Sequence, residues 1–226
     1  MLSIEDVSVD RAGLAIVRGV SLRVGAGEVV ALLGANGAGK TTLLEGVAGV
    51  VPVTGRIVLA GERVEGWPAW KRVRHGLAHV EQDRAVFREM SALDNLRTAG
   101  RDAERVFGLF PELRKQAHVP AGLLSGGEQQ MLVVGRALLT RPKVLVIDEM
   151  SLGLAPIVVR RLARAVRELA DGGIGVLVVE QFASLALEIA DRAYVLARGE
   201  VVFHGRGADL RADRDLLRAL YLGSGV

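Results

Sequence analysis

Apolar positions along this chain follow two rhythms, one of period two and one near period 3.6. Residues 2–9 and 16–24 read as strands; in the second, Val20, Leu22 and Val24 alternate with polar neighbours, as on a half-buried strand. Gly25 to Gly27 make a turn. Residues 29–33 are then apolar without a break, the pattern of a strand covered on both faces. A glycine-rich loop follows, then a predicted helix over 41–47 and strands over 55–59 and 77–80. From 92 to 139 the pattern is helical, with breaks at Pro111 and Pro120. Strand and helix alternate again afterwards: strand 144–147, helix 156–170, strand 176–179, a helix near 185–190, and strands near 194–196 and 201–203. Such alternation predicts an α/β fold, a parallel sheet with helices on both faces, and the helical middle reads as an insertion into it.

Candidate chemistry enters at the glycine-rich loop. Gly34, Ala35, Asn36, Gly37, Ala38, Gly39, Lys40 and Thr41 satisfy G-x-x-x-x-G-K-[ST], between a buried strand and a helix. Glycines let several backbone N–H groups face one anion, and the helix N-terminus adds its positive end. Lys40 is expected to reach the β- and γ-phosphates and the Thr41 hydroxyl to ligate Mg²⁺. A glycine-rich structural turn is the alternative. Residues 144–147 end in two acids, Asp148 and Glu149. At the carboxyl edge of a parallel sheet Asp148 would hold Mg²⁺, and Glu149 would polarise an attacking water at the γ-phosphate. Ser125, Gly126, Gly127 and Glu128 open the helix running to Leu139 and offer a second anion site: a capping serine with exposed backbone N–H groups.

The segment from Leu124 to Gln130 resembles the signature motif of the ABC ATPases, and the resemblance extends over essentially the whole chain. It implies a P-loop NTPase core with an N-terminal antiparallel β subdomain and an α-helical signature subdomain, near 84–139, inserted in a single domain over 1–226. It implies ATP and Mg²⁺ as ligands and a head-to-tail dimer, in which one subunit's signature closes on the ATP of the other's phosphate loop. Gln82 resembles the glutamine that touches Mg²⁺ and water and senses the membrane partner. Ser151-Leu152-Gly153-Leu154 resembles the dimer-contact loop without its usual aspartate. Three positions depart from the pattern. Arg11 stands where an aromatic usually stacks on adenine, Met150 where a proline follows the catalytic glutamate, and Gln181 at the switch histidine. Gln181 can donate a hydrogen bond to a γ-phosphate but cannot carry a proton or a charge.

Several segments resemble ATPase subunits of branched-chain amino-acid uptake systems: Gly34 through Thr41, Thr42, Leu43 and Leu44; Ser151 to Val158; Val179-Glu180-Gln181; and Leu187 to Leu196. Glutamine at the switch position is usual there. Such importers pair two ATPase subunits, alike or related, with two membrane permease subunits and an extracytoplasmic substrate-binding protein. Similar subunits serve urea or short amides. The permease contact is expected between Gln82 and Ser125, with Arg84, Phe87 and Met90 as candidates; Phe87 and Met90 packing under the helical subdomain is the competing reading. Soluble relatives acting on ribosomes usually carry two cassettes, and those acting on DNA a long coiled coil. Here there is one phosphate loop, one signature and a short insert. A small-molecule kinase would leave Ser125-Gly126-Gly127 without a role.

Composition narrows the setting. The 226 residues suffice for one sizeable core. No apolar run approaches the roughly 20 residues of a membrane span, and the N-terminus lacks a signal peptide's basic start; the family resemblance implies a peripheral place on the cytoplasmic face of the membrane, beside the permeases. With no cysteine, disulfides and thiolate metal sites are excluded. A formal charge of +3 is too small to imply nucleic acid. Arg160, Arg161, Arg164 and Arg167 recur at helical spacing and read as a solvated face in preference to a phosphate-backbone site. The four histidines (His75, His79, His118, His204) show no ligand grouping. Trp67 and Trp70 flank Pro68 and precede Lys71, Arg72 and Arg74; they suggest a short capped helix on the sheet subdomain in preference to a membrane surface.

Overall fold

The computed structural model describes residues 1–222. In chain order it contains β1 (Leu2–Arg11), β2 (Leu14–Val24), β3 (Val29–Leu33), α1 (Lys40–Ala48), β4 (Thr54–Leu59), β5 (Glu62–Arg63), α2 (Ala69–His75) and β6 (Leu77–Val80). Four helices follow: α3 (Ala92–Arg97), α4 (Ala103–Leu109), α5 (Pro111–Lys115) and α6 (Gly126–Leu139). The chain then runs through β7 (Val144–Asp148), α7 (Pro156–Asp171), β8 (Gly175–Glu180), α8 (Ala183–Ile189), β9 (Arg192–Ala197), β10 (Glu200–Arg206), α9 (Gly207–Ala212) and α10 (Arg214–Leu222). No helix among the described residues is long and apolar enough to cross a membrane.

Two sheets form. One is antiparallel, in the order β2-β1-β4-β5. The other runs β10-β9-β3-β8-β7-β6 and is parallel except for β10. The unbroken apolar runs are explained by what covers them. In β3, Val29, Ala31 and Leu33 join the cluster under the helices, while Val30 and Leu32 join the cluster between the two sheets. β7 splits in the same way, with Leu145 and Ile147 on the helical side and Val144 and Val146 on the other. Both faces are dry, so alternation has nothing polar to alternate with.

The helical middle lies between β6 and β7. Pro111 begins a helix here, sitting at the first position of α5, where its missing N–H has no intrahelical partner to lose. The helices α9 and α10 have no counterpart in the sequence reading, which ended at a strand near 201–203. Two arginines of the row on α7 depart from the expected solvated face. Arg161 donates to Glu112 and to the Leu109 carbonyl, and Arg167 donates to Asp191 at 2.8 Å and to the Gly27 carbonyl at 2.8 Å. Arg160 and Arg164 alone are exposed.

The tryptophans flank and enter a short helix, as expected, but only its C-terminus carries a cap, the left-handed Gly76. Lys71 lies 3.7 Å from the Trp67 ring centroid, while Trp70 is 61% exposed. Arg72 of the same helix is fully buried. Its guanidinium donates to the carbonyls of Gly46 and Val47 at 2.7 Å, Glu65 at 2.8 Å and Trp67 at 3.0 Å, closing the C-terminal end of α1. We expect Arg72→Ala to lower unfolding free energy by about 3 kcal/mol, since several buried carbonyls lose their donor at once. Lysine will recover little of it, because one ammonium cannot reproduce a fork of five donors. Urea denaturation measures this, and a loss under about 1 kcal/mol would show that water replaces the guanidinium.

Candidate active site

The carboxyl ends of four neighbouring strands, in the order β3-β8-β7-β6, gather the candidate groups. β3 delivers the phosphate loop. Gly34 turns out of the strand directly against β9, where a Cβ would stand 2.4 Å from the Leu196 carbonyl oxygen, so no side chain fits. Gly39 precedes α1 at φ 103° and offers no capping side chain, leaving the first N–H groups of that helix to whatever binds there. Asn36, Gly37 and Thr41 are exposed, Ala35 and Thr42 half-buried, and Ala38 buried. Lys40 is buried and folds back on the loop, donating to the Gly34 carbonyl at 2.8 Å and the Ala35 carbonyl at 3.2 Å. Burial lowers its ammonium from the usual value, against the pull of Glu149, Asp148 and Glu180. An ammonium has three donors, so one remains for an anion.

β7 delivers the acids. Asp148 is only 3% exposed; its Oδ2 accepts from the Thr41 hydroxyl at 3.3 Å, across 107 residues of sequence. Its Oδ1 is buried without a partner among the described residues. Burial first, then neighbouring Glu149, pushes the Asp148 carboxyl up to about 6. Glu149 is half-buried, takes φ 46° and donates its backbone N–H to the Val179 carbonyl at 2.9 Å. Gln181 follows β8, half-buried, and its carbonyl accepts from the Tyr221 hydroxyl at 2.9 Å. Gln82 lies exposed in the turn two residues past β6. Arg11, at the end of β1, forms an ion pair with Glu45 of α1.

The signature segment lies apart. Ser125 caps α6, accepting from Glu128 N–H at 3.3 Å, while the Glu128 carboxylate accepts from Ser125 N–H and hydroxyl, both at 2.8 Å. The expected nucleotide contact Glu128 is therefore engaged in a capping box. A Cβ on Gly127 would stand 2.5 Å from Val158, and one on Gly126 would stand 2.8 Å from the Arg84 guanidinium. Among the described residues no hydrogen bond joins Ser125, Gly126, Gly127 or Glu128 to the phosphate loop or to Asp148.

Three residues at this edge make contacts that sequence reasoning did not foresee. Glu180 is fully buried and accepts from Ser151 N–H at 3.0 Å and Ser151 hydroxyl at 2.8 Å; burial, opposed by those bonds, pushes it up to about 7. An acid ending an apolar strand was its signal, the same one that marked Asp148. Tyr221 is pushed up to about 12 by burial, partly offset by the Gly34 backbone, and no sequence pattern ties it to Gln181. Arg84 was a candidate permease contact. It is half-buried at φ 46° and donates to the Leu152 carbonyl, while Phe87 and Met90 of the same group are exposed. Phe87 is 49% exposed, so it does not pack beneath the helices.

The sequence model of the ABC transporter family matches residues 17–151. The chain is 41% identical to the high-affinity branched-chain amino acid transport ATP-binding protein BraG of Pseudomonas aeruginosa, over 99% of this chain and all of that one. It is 34% identical to the lipopolysaccharide export system ATP-binding protein LptB of Escherichia coli K12, over 93% of this chain and 92% of that one. Among solved structures, the ADP conformation of MJ1267, an ATP-binding cassette of an ABC transporter, superposes with TM-score 0.84 at 25% identity, covering 99% and 98% of the two chains. By the family match and by these full-length likenesses, the chain belongs to the ABC transporter ATP-binding family and is an ATPase subunit of a transporter.

Proposed function

We propose that this ATPase powers uptake of branched-chain or other hydrophobic amino acids, from the cytoplasmic face of the membrane, in a head-to-tail pair around two ATP molecules. The observation that carries the pairing is the separation of two anion-binding edges within one chain. Lys40, Thr41 and Asp148 are bonded or charge-coupled around the phosphate loop, while Ser125 presents its helix end to the surface with no bond to them. Each edge is half a site, and a second copy or a related subunit supplies the other half. The substrate reading rests on the BraG likeness; two permease subunits and an extracytoplasmic binding protein would complete the importer. The LptB likeness at lower identity keeps an exporter of a lipid-linked polysaccharide as the second reading.

The residues suit a hydrolytic site. Lys40 neutralises charge on the β- and γ-phosphates, and the α1 N–H groups cradle them. Glu149 accepts the proton of an attacking water, and Gln181 donates a hydrogen bond to the γ-phosphate. The unpartnered Asp148 Oδ1, beside the Thr41 hydroxyl, fits a hard divalent cation. Mg²⁺ at this place would be held by one carboxylate, one hydroxyl, water and phosphate oxygens. Thr41, Asp148 and, through water, Gln82 would hold Mg²⁺, which when bound offsets charge on the phosphates. Arg11 would lie against the base on its guanidinium face once released from Glu45.

Three outcomes are expected. Glu149→Gln binds ATP but hydrolyses it on the order of 10²–10⁴-fold more slowly, and accumulates as a dimer with ATP in size-exclusion chromatography; turnover near the wild-type rate would remove Glu149 from its role. Purification from native membranes in mild detergent recovers two multi-spanning permeases, whose linked binding protein takes up leucine, isoleucine or valine in calorimetry. Recovery with components of lipid export would favour the second reading, and recovery with ribosomal or DNA-repair proteins would overturn transport by this chain. The third outcome concerns pH without nucleotide. Glu180 at about 7 lies above its ordinary value of 4.5, so the folded chain keeps a proton that the unfolded chain releases. Stability therefore falls as pH rises from about 4.5 to about 7, by about 3 kcal/mol from this group, and levels off above. Denaturation between pH 5 and pH 8 checks the slope, which Glu180→Gln should flatten.

A further inference from the structure

The turn that carries Glu149 is shaped from outside. At φ 46° Glu149 occupies the left-handed region, which costs a non-glycine residue roughly 1–2 kcal/mol and persists only where neighbours impose it. The neighbours are two consecutive residues of β8. Val179 accepts the Glu149 N–H at 2.9 Å, and Glu180 accepts both the N–H and the hydroxyl of Ser151, one carboxylate oxygen for each. Between these two anchor points Met150 is fully buried. The residue that follows Glu149 is a methionine with no ring to restrict the turn, and contacts from the adjacent strand hold the conformation.

Burying a carboxylate is costly, and an apolar residue would fill the end of β8 more cheaply. What a carboxylate adds is two acceptors at fixed separation, aimed at two donors of one residue. All hydrogen bonds of the Glu180 side chain go to Ser151, and among the described residues it makes no ion pair.

We propose that Glu180 is a positioning residue for hydrolysis: by clamping Ser151 it holds Glu149 in the backbone conformation from which its carboxylate meets the attacking water. The inference rests on Glu149 acting as the base. Among the described residues the Glu180 side chain makes no hydrogen bond to the phosphate loop, so its loss should act on the chemical step far more than on ATP affinity.

The test compares Glu180→Ala, Glu180→Gln and Ser151→Ala with wild type, and carries Glu149→Gln as a benchmark. ATP affinity is measured with a fluorescent ATP analogue, and hydrolysis in single turnovers at saturating MgATP. Glu180→Ala should lower the single-turnover rate about 10- to 100-fold, the scale of a small misplacement of a reacting group, with affinity changed less than about threefold. Glu180→Gln should recover most of the loss, because its amide oxygen accepts from Ser151 N–H and its amide NH₂ donates to the Ser151 hydroxyl. Ser151→Ala keeps the N–H bond and loses the hydroxyl, so it should fall between. A Glu180→Ala rate within twofold of wild type, or equal losses of affinity and rate, would overturn the proposal. Should Glu180→Ala not fold, a wild-type rate in Ser151→Ala overturns it just as well. A fast Glu149→Gln enzyme would instead remove the base assignment on which the inference stands.

Discussion

Covering both faces of the parallel sheet is the constraint on which everything else here depends. Val29 to Leu33, Val144 to Ile147 and Val176 to Val179 have no contact with water on either side, so their only polar ends are where the strands stop. Whatever must be polar and pre-placed is pushed to that edge, and the adjacency of β3, β8, β7 and β6 sets which groups meet. Thr41 and Asp148 stand 107 residues apart in sequence and meet because one strand lies between theirs. The glycine at 34 is a consequence of the same packing, since the loop must leave β3 in contact with the backbone of β9.

That edge is under electrostatic tension. Asp148 and Glu180 are buried, with Glu149 beside them, and one ammonium, on Lys40, faces all three. Burial moves both buried acids upward, so the site is arranged around charge that arrives from outside. Arg72, at the far end of α1, shows the opposite solution: a buried cation satisfied by four carbonyls and no acid within hydrogen-bonding range. One end of the helix is closed within the chain and the other is left for a ligand.

What the sequence made legible follows from how local each signal is. The phosphate loop is eight consecutive residues with a strand before and a helix after, and the acids of β7 end an apolar run; both read directly. Ser125 and Glu128 spell a capping box at three-residue spacing, and the segment was legible as a helix start, although the bond between the two side chains was not foreseen. The contacts that stayed hidden are long-range: Arg84 with Leu152 across 68 residues, Arg72 with Gly46 across 26, Ser151 with Glu180 across 29. No periodicity encodes a partner at such distances. The last two helices escaped for another reason, as α9 begins directly at the end of β10 with Gly207 pressed on the Ala190 carbonyl, and a glycine there reads as loop.

The capping box at Ser125 would have to exchange a partner in the proposed pair. Its hydroxyl has one proton, and that proton is given to Glu128. In that pair the hydroxyl would trade one anionic acceptor for another, carboxylate for phosphate, and trade back when the phosphate leaves. The first turn of α6 would then be the place in this chain that registers whether the opposite site is filled.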